Sequence, residues 1–245
     1  MDIPFEPIVF GYKVNIHLIL EYTAFFIGFR YYVHLKKRTQ DPISSSNRLS
    51  IIIGAVFGAF FGSRFFGFLE HPAFSFDPEY VVRLLSIKTI MGGLFGGLLG
   101  VELAKKIIGE KHSSGDLFTF PIILGIIIGR IGCFLAGVKE FTYGKQTTSF
   151  LGMDLGDGLY RYPIALFEVI FLLILWRILK RFQTKSKTES GLLFKYFMIS
   201  YFLFRFCIEF LKPNTFFVLG LSSIQYLCIL CMIYYQKTLR QIVFK

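Results

Sequence analysis

The chain has 245 residues, 54% hydrophobic and only 18% charged, with a mean hydropathy of +0.58. A soluble domain carries about 45–50% apolar and about 25% charged residues, and here the apolar residues also fall in long runs, which excludes a single aqueous core. The formal charge of +11 does not indicate nucleic acid: most Lys and Arg lie in short connections between apolar runs, and no nucleic-acid motif is present.

In chain order, the apolar runs predict membrane spans near residues 14–33, 49–69, 86–108, 117–136, 163–181, 192–211 and 218–236. Each is long enough for a hydrocarbon layer of roughly 30 Å. Four connections, including the tail, hold Lys36, Lys37, Arg38, Arg48, Lys105, Lys106, Lys111, Lys180, Arg181, Lys185, Lys187, Lys237, Arg240 and Lys245. The opposite connections hold half as many cations and most of the loop acids. The positive-inside rule then puts the N-terminus outside and the C-terminus in the cytoplasm. The expectation is an all-α integral membrane protein of about seven transmembrane helices, residues 1–245 forming one transmembrane domain. Asp2 and Glu6 near the start, with no small-residue cleavage site after the first run, argue against a cleavable signal peptide.

Some charges fall inside the spans. Arg64, Arg130 and Arg205 sit in the outer halves of spans two, four and six, and His17, Glu21 and Glu168 reach the same depth from spans one and five. Glu209 lies one turn beyond Arg205 on the same face. An arginine within the bilayer costs several kcal/mol unless it is paired or hydrated. Two readings stand: structural ion pairs (Arg205 with Glu209, and Arg64 and Arg130 with Glu21 and Glu168), or a polar cavity that binds an anion from the outer leaflet through guanidinium forks.

The ladders Gly54/Gly58/Gly62 and Gly92/Gly96/Gly100, with Gly93 and Gly97 alongside, suit close helix packing. Gly92 and Gly93 would also let a ligand approach the backbone. The outward connection 137–162, rich in Gly and aromatics, is either a plain surface loop or a lid. His34, His71 and His112 are scattered, and no metal site is expected; the four cysteines form no disulfide framework.

The stretch Gly129-Arg-Ile-Gly-Cys-Phe-Leu-Ala-Gly137 resembles the signature of the prolipoprotein diacylglyceryl transferase family. The likeness extends to Ser113–Leu117 with Pro121 and Gly125, to Arg161-Tyr-Pro with Glu168, to Arg205-Phe-x-x-Glu209-Phe-x-Lys212, and to Gly62-Ser-Arg64. It implies a seven-helix enzyme of the bacterial cytoplasmic membrane with its active site facing the outer leaflet. Such an enzyme moves the diacylglyceryl group of phosphatidylglycerol onto the cysteine thiol of a prolipoprotein lipobox and releases glycerol phosphate. No cofactor is implied, and the partners would be the donor lipid, the lipobox peptide and membrane lipids, not nucleic acid. Arg130 and Arg205 would grip the lipid phosphate, with Glu209 orienting Arg205. Arg64, Lys88, Gly92, Gly93, Arg161 and Glu168 would line the substrate site. Met91 stands where the family has histidine, Cys133 and Ala136 where it has asparagines, and Val138 where it has glutamate. His17, Glu21 or Lys88 would then supply the proton acceptor. The alternatives to this transferase are the same fold with another acceptor, or a lipid- or anion-binding or transport protein.

Overall fold

A computed structural model describes residues 3–70, 87–185, 189–213 and 217–243. The chain is mostly helical. The described residues contain eight α-helices: α1 Ile16–Arg38, α2 Ser45–Glu70, α3 Ile90–Ile108, α4 Asp116–Ala136, α5 Ile164–Lys185, α6 Leu192–Ile208, α7 Ser223–Tyr234 and α8 Gln236–Val243. Each of the seven apolar runs contains a helix. Two of these, α2 and α4 with its 3-10 extension to Lys139, are long and apolar enough by length and composition to cross a membrane. Asp2, His71, Lys187 and Lys245 lie outside the described residues.

Three local features depart from the expected layout. First, helix is not the only element. Ile8–Val9 (β1) pairs antiparallel with Tyr12–Lys13 (β2), and Met153–Asp154 (β3) with Tyr160–Arg161 (β4). The segment 137–162 is therefore a 3-10 turn followed by a short hairpin. Second, the helix of the last apolar run is broken. A capping box between Ser222 and Gln225 starts α7 late, and Leu219 and Gly220, both at positive φ, hold the chain before it out of regular helix. The sixth run likewise leaves α-geometry at Glu209, where a 3-10 turn follows. Third, Arg48 is no loop cation. It lies in the first turns of α2, 2% exposed, and both ends of its guanidinium donate to Asp41. Ser44, whose Oγ accepts from the Asn47 amide, caps α2 ahead of the apolar run.

By contacts, the chain divides into two compact units. The first comprises Met1–Gln40, Ser114–Phe197 and Phe210–Pro213; the second comprises Asp41–Ser113, Met198–Glu209 and Asn214–Lys245.

In the first unit α1 runs along α4, and α4 packs on α5. Asn15 caps α1 by accepting from the Leu18 amide. Close approach occurs at two levels: a Cβ on Gly132 would lie 3.2 Å from Leu20 and 3.3 Å from the His17 ring, and one on Gly28 would lie 3.3 Å from the Pro121 carbonyl. Further along, Tyr32 stacks on Phe118 at 4.4 Å between centroids and Trp176 packs on Phe120 at 5.1 Å. Such pairs contribute roughly 0.5–1.5 kcal/mol each beyond area burial. Asp116, in the first turn of α4, accepts from the amides of Gly191 (2.6 Å) and Phe194 (3.0 Å) and so caps the start of α6.

In the second unit α2 and α3 meet backbone to backbone. A Cβ on Gly54, Gly58 or Gly62 would lie 2.6, 2.2 or 2.4 Å from the carbonyl oxygen of Gly100, Gly96 or Gly92 respectively. No side chain fits at those levels, so the two ladders serve packing. Thr89 caps α3 by accepting from the Gly92 amide, and its own amide donates to the Ser63 carbonyl on α2. Helix α7 packs against both α2 and α3.

Candidate functional site

His17, Glu21, Arg130, Arg161 and Glu168 belong to the first unit; Arg64, Lys88, Gly92, Gly93, Arg205 and Glu209 belong to the second.

In the first unit the ionisable groups form a chain of contacts around the end of α4. Arg130 is 7% exposed and Glu168 fully buried; Arg130 Nε lies 2.9 Å from Glu168 Oε1 on α5. Two charges removed from water offset one another by such a pairing. One turn after Arg130, Cys133 places its Sγ 3.9 Å from Arg130 Nη1 and 3.5 Å from His17 Nε2 on α1. The other ring nitrogen of His17, Nδ1, is 2.9 Å from Glu140 Oε1. Glu140 terminates the 3-10 turn Gly137–Lys139. That turn needs glycine: Gly137 has φ +58, and a Cβ on it would lie 2.2 Å from the Leu155 carbonyl.

The loop covers this end of α4. Phe134, Gly137, Thr142, Tyr143, Leu155 and Pro163 line a narrow cavity that reaches Cys133. Arg161 is tied into the loop by its own bond to Asp157 (2.8 Å) and by lying over the Tyr143 ring. Lys212, only 4% exposed, sits over Phe141. Glu21 is half-buried one turn along α1 from His17. Outside the helices, the Lys139 ammonium bonded to Glu6 holds that carboxyl below its usual range.

In the second unit Arg205 is 4% exposed and donates from Nη2 to Glu209 Oε2 at 2.9 Å, the same-face pair expected from the four-residue spacing. Gln225 of α7 donates to the Phe206 carbonyl at 3.1 Å and secures the turn that carries both. Arg64 donates to Ser63 Oγ (2.9 Å) and lies over the Phe60 ring within its own unit. Lys88 is exposed and immediately precedes the α3 cap; a Cβ on Gly93 would lie 3.6 Å from Ser63, an ordinary contact, while Gly92 is pressed on Gly62. Met91 is buried at the first turn of α3.

Sequence reasoning treated Cys133 only as a departure from a motif and passed over Glu140. The one local signal was the three-residue step from Arg130 to Cys133, which puts both on one helical face. Nothing local ties either to His17, more than a hundred positions away.

A chain whose helices bury arginine–glutamate pairs in this motif context falls in the class of lipid-processing membrane enzymes suggested by its signature. A family model described as prolipoprotein diacylglyceryl transferase matches residues 7–238, so the chain belongs to that family. Relatives named phosphatidylglycerol–prolipoprotein diacylglyceryl transferase include one from Ehrlichia ruminantium (strain Welgevonden), 32% identical over 77% of this chain and 76% of its own. One from Rickettsia felis is 30% identical over 85% of both chains, and one from Campylobacter hominis is 28% identical over 94% of this chain and 88% of its own.

Proposed function

We propose that this protein is a transferase moving the diacylglyceryl group of phosphatidylglycerol to the thiol of a prolipoprotein lipobox cysteine, with glycerol phosphate as leaving group. The observation that carries the reading is the family match across nearly the whole chain together with buried Arg130 paired with Glu168 inside it. The acceptor sulfur attacks the glyceryl carbon, the C–S bond forms, and the C–O bond breaks with its electron pair leaving on the phosphate oxygen. Charge develops on that oxygen, and a fixed guanidinium is the group suited to receive it. Arg130 is assigned this role and Glu168 the role of orienting it. Arg205, held by Glu209, is assigned as an anion-binding group of the second unit, with Arg64 and Lys88 as supporting cations. Arg161 and the segment 137–162 form a lid in this reading. Glu21, one turn from His17, is kept as a supporting acid.

The same reading includes seven spans in a bacterial cytoplasmic membrane, an outside N-terminus, a cytoplasmic C-terminus and chemistry at the outer leaflet. Lys36, Lys37, Arg38, Lys105 and Lys106 lie in the last turns of α1 and α3, where they favour the helix dipoles as well as an inside location. A second acceptor class is favoured by one observation: buried Met91 occupies the position where the resemblance expects histidine.

The test incubates purified protein with glycerol-labelled phosphatidylglycerol and a lipobox peptide. Label on the peptide thiol with release of glycerol phosphate is the expected result. Turnover of lipid without peptide labelling would select the second acceptor class, and no turnover at all would refute both. Reporter fusions at the C-terminus, active only in the cytoplasm, test the orientation.

A further inference from the structure

Four cysteines offer an internal comparison. Cys207 is exposed, and Cys228 and Cys231 are buried within α7 at 1% and 0% exposure. Cys133 alone among them, within the described residues, has an imidazole nitrogen within hydrogen-bond distance. The groups facing it come from every element packed there: His17 from α1, Arg130 from its own helix, Glu140 from the 3-10 turn, and Glu168 from α5 behind Arg130.

The order of atoms sets the direction of proton flow. The Glu140 carboxylate beside Nδ1 favours a proton there, and in the neutral ring that places Nε2 opposite Sγ as the acceptor. The arrangement is thiol, imidazole, carboxylate, the pattern that activates a sulfur by an adjacent base oriented by a third group. The Arg130 guanidinium on the other side of Sγ adds positive charge where a thiolate would form. A cysteine that merely filled space would need none of these three neighbours.

We propose that Cys133, His17 and Glu140 form the relay that accepts the proton of the acceptor thiol, with Cys133 as the catalytic residue in contact with it. The inference rests on the transferase reading above. The narrow cavity beneath the loop is lined by Cys133 and not by His17, so an acceptor thiol entering there meets the sulfur and not the imidazole. The Cys133 proton first passes to Nε2, giving a thiolate beside an imidazolium. The acceptor S–H then gives its proton to Cys133 Sγ, a transfer drawn forward as the freed sulfur is consumed in the C–S bond. The freed acceptor sulfur forms the C–S bond as the glycerol phosphate C–O bond breaks. The relay now carries one extra proton, on the imidazolium, and releases it to solvent past Glu140, whose side chain is 36% exposed. The relay thus supplies the base that Met91 does not.

Two measurements on the full-length protein in detergent test this. In the first, iodoacetamide is applied without lipid present, and the labelling rates of Cys133 and Cys207 are followed by peptide mass spectrometry across pH. Cys133 should react at lower pH than exposed Cys207, and His17→Gln should slow it about tenfold or more while Cys207 is unchanged. In the second, Cys133→Ser and Cys133→Ala should each lower kcat for transfer about 100-fold with KM for phosphatidylglycerol retained. Equal Cys133 labelling in wild type and His17→Gln, or wild-type kcat in Cys133→Ser, would overturn the relay. Loss of all transfer by the unmodified protein refutes the transferase reading instead, and is told apart because the labelling arm needs no turnover.

Discussion

Arg130 and Arg205 are both buried and both paired with a glutamate, but their partners are reached differently. Glu209 lies on the turn that follows Arg205, so their bond fixes one side chain and adds no tertiary link. Glu168 comes from α5, so its bond to Arg130 fixes a side chain and also ties α4 to α5. The same chemistry is a rotamer constraint in one unit and a helix-to-helix fastening in the other. Breaking the Arg130 pair therefore also removes a link between α4 and α5.

The largest effect should come from breaking that fastening. Glu168→Ala strands a buried guanidinium and should cost about 3–5 kcal/mol, read as a lowered Tm in detergent, whereas Glu209→Ala should fall at about 3 kcal/mol or below. Equal losses would erase the distinction between the two pairs. Next, Arg130→Gln should lower kcat about 10²–10³-fold in the labelled-lipid assay, while Arg161→Gln, engaged with Asp157, should lower it about tenfold or less. A larger loss at Arg161 would move the phosphate grip into the loop.

A smaller effect sharpens the contrast with the α2–α3 contact, which uses no charge. Gly58→Leu forces a side chain onto the Gly96 carbonyl and should cost about 1–3 kcal/mol or prevent accumulation of the protein, measured by Tm and yield. The smallest concerns a polar contact outside the spans. Glu110 accepts from the His112 amide, the Asn47 side chain and the His112 ring, which hold its carboxyl at about 2 against an ordinary 4.5. A depressed acid stabilises the fold above its ordinary range, and that contribution fades as pH falls from about 4.5 towards 2. Glu110→Gln should flatten this part of a Tm-versus-pH curve and leave the neutral region nearly unchanged.

Local signals were legible and distant ones were not. The seven apolar runs each contain a helix, the glycine ladders pack as their four-residue spacing requires, and Arg205 meets Glu209 because i and i+4 share a face. Arg130 with Glu168 was among the pairings the charges allowed. Helix breaks at Glu209 and Ser222 were missed because hydropathy runs straight through them, while capping and positive φ set the geometry. Arg48 was misplaced because its partner Asp41 lies in the connection, where a carboxylate is ordinarily solvated. Cys133, His17 and Glu140 were out of reach for a different reason: only the packing of α1 along α4 and the turn at Gly137 bring them together.

The contact between Asp116 and the start of α6 bears on how the chain is made. Its carboxylate is synthesised some seventy residues before the Gly191 and Phe194 amides it receives. During translation α4 therefore holds a waiting acceptor while α5 emerges, and α6 acquires its cap only on returning to it. A ribosome-bound chain halted before Gly191 should lack this anchor, and Asp116→Asn should delay protease resistance of the α6 region without altering that of α1.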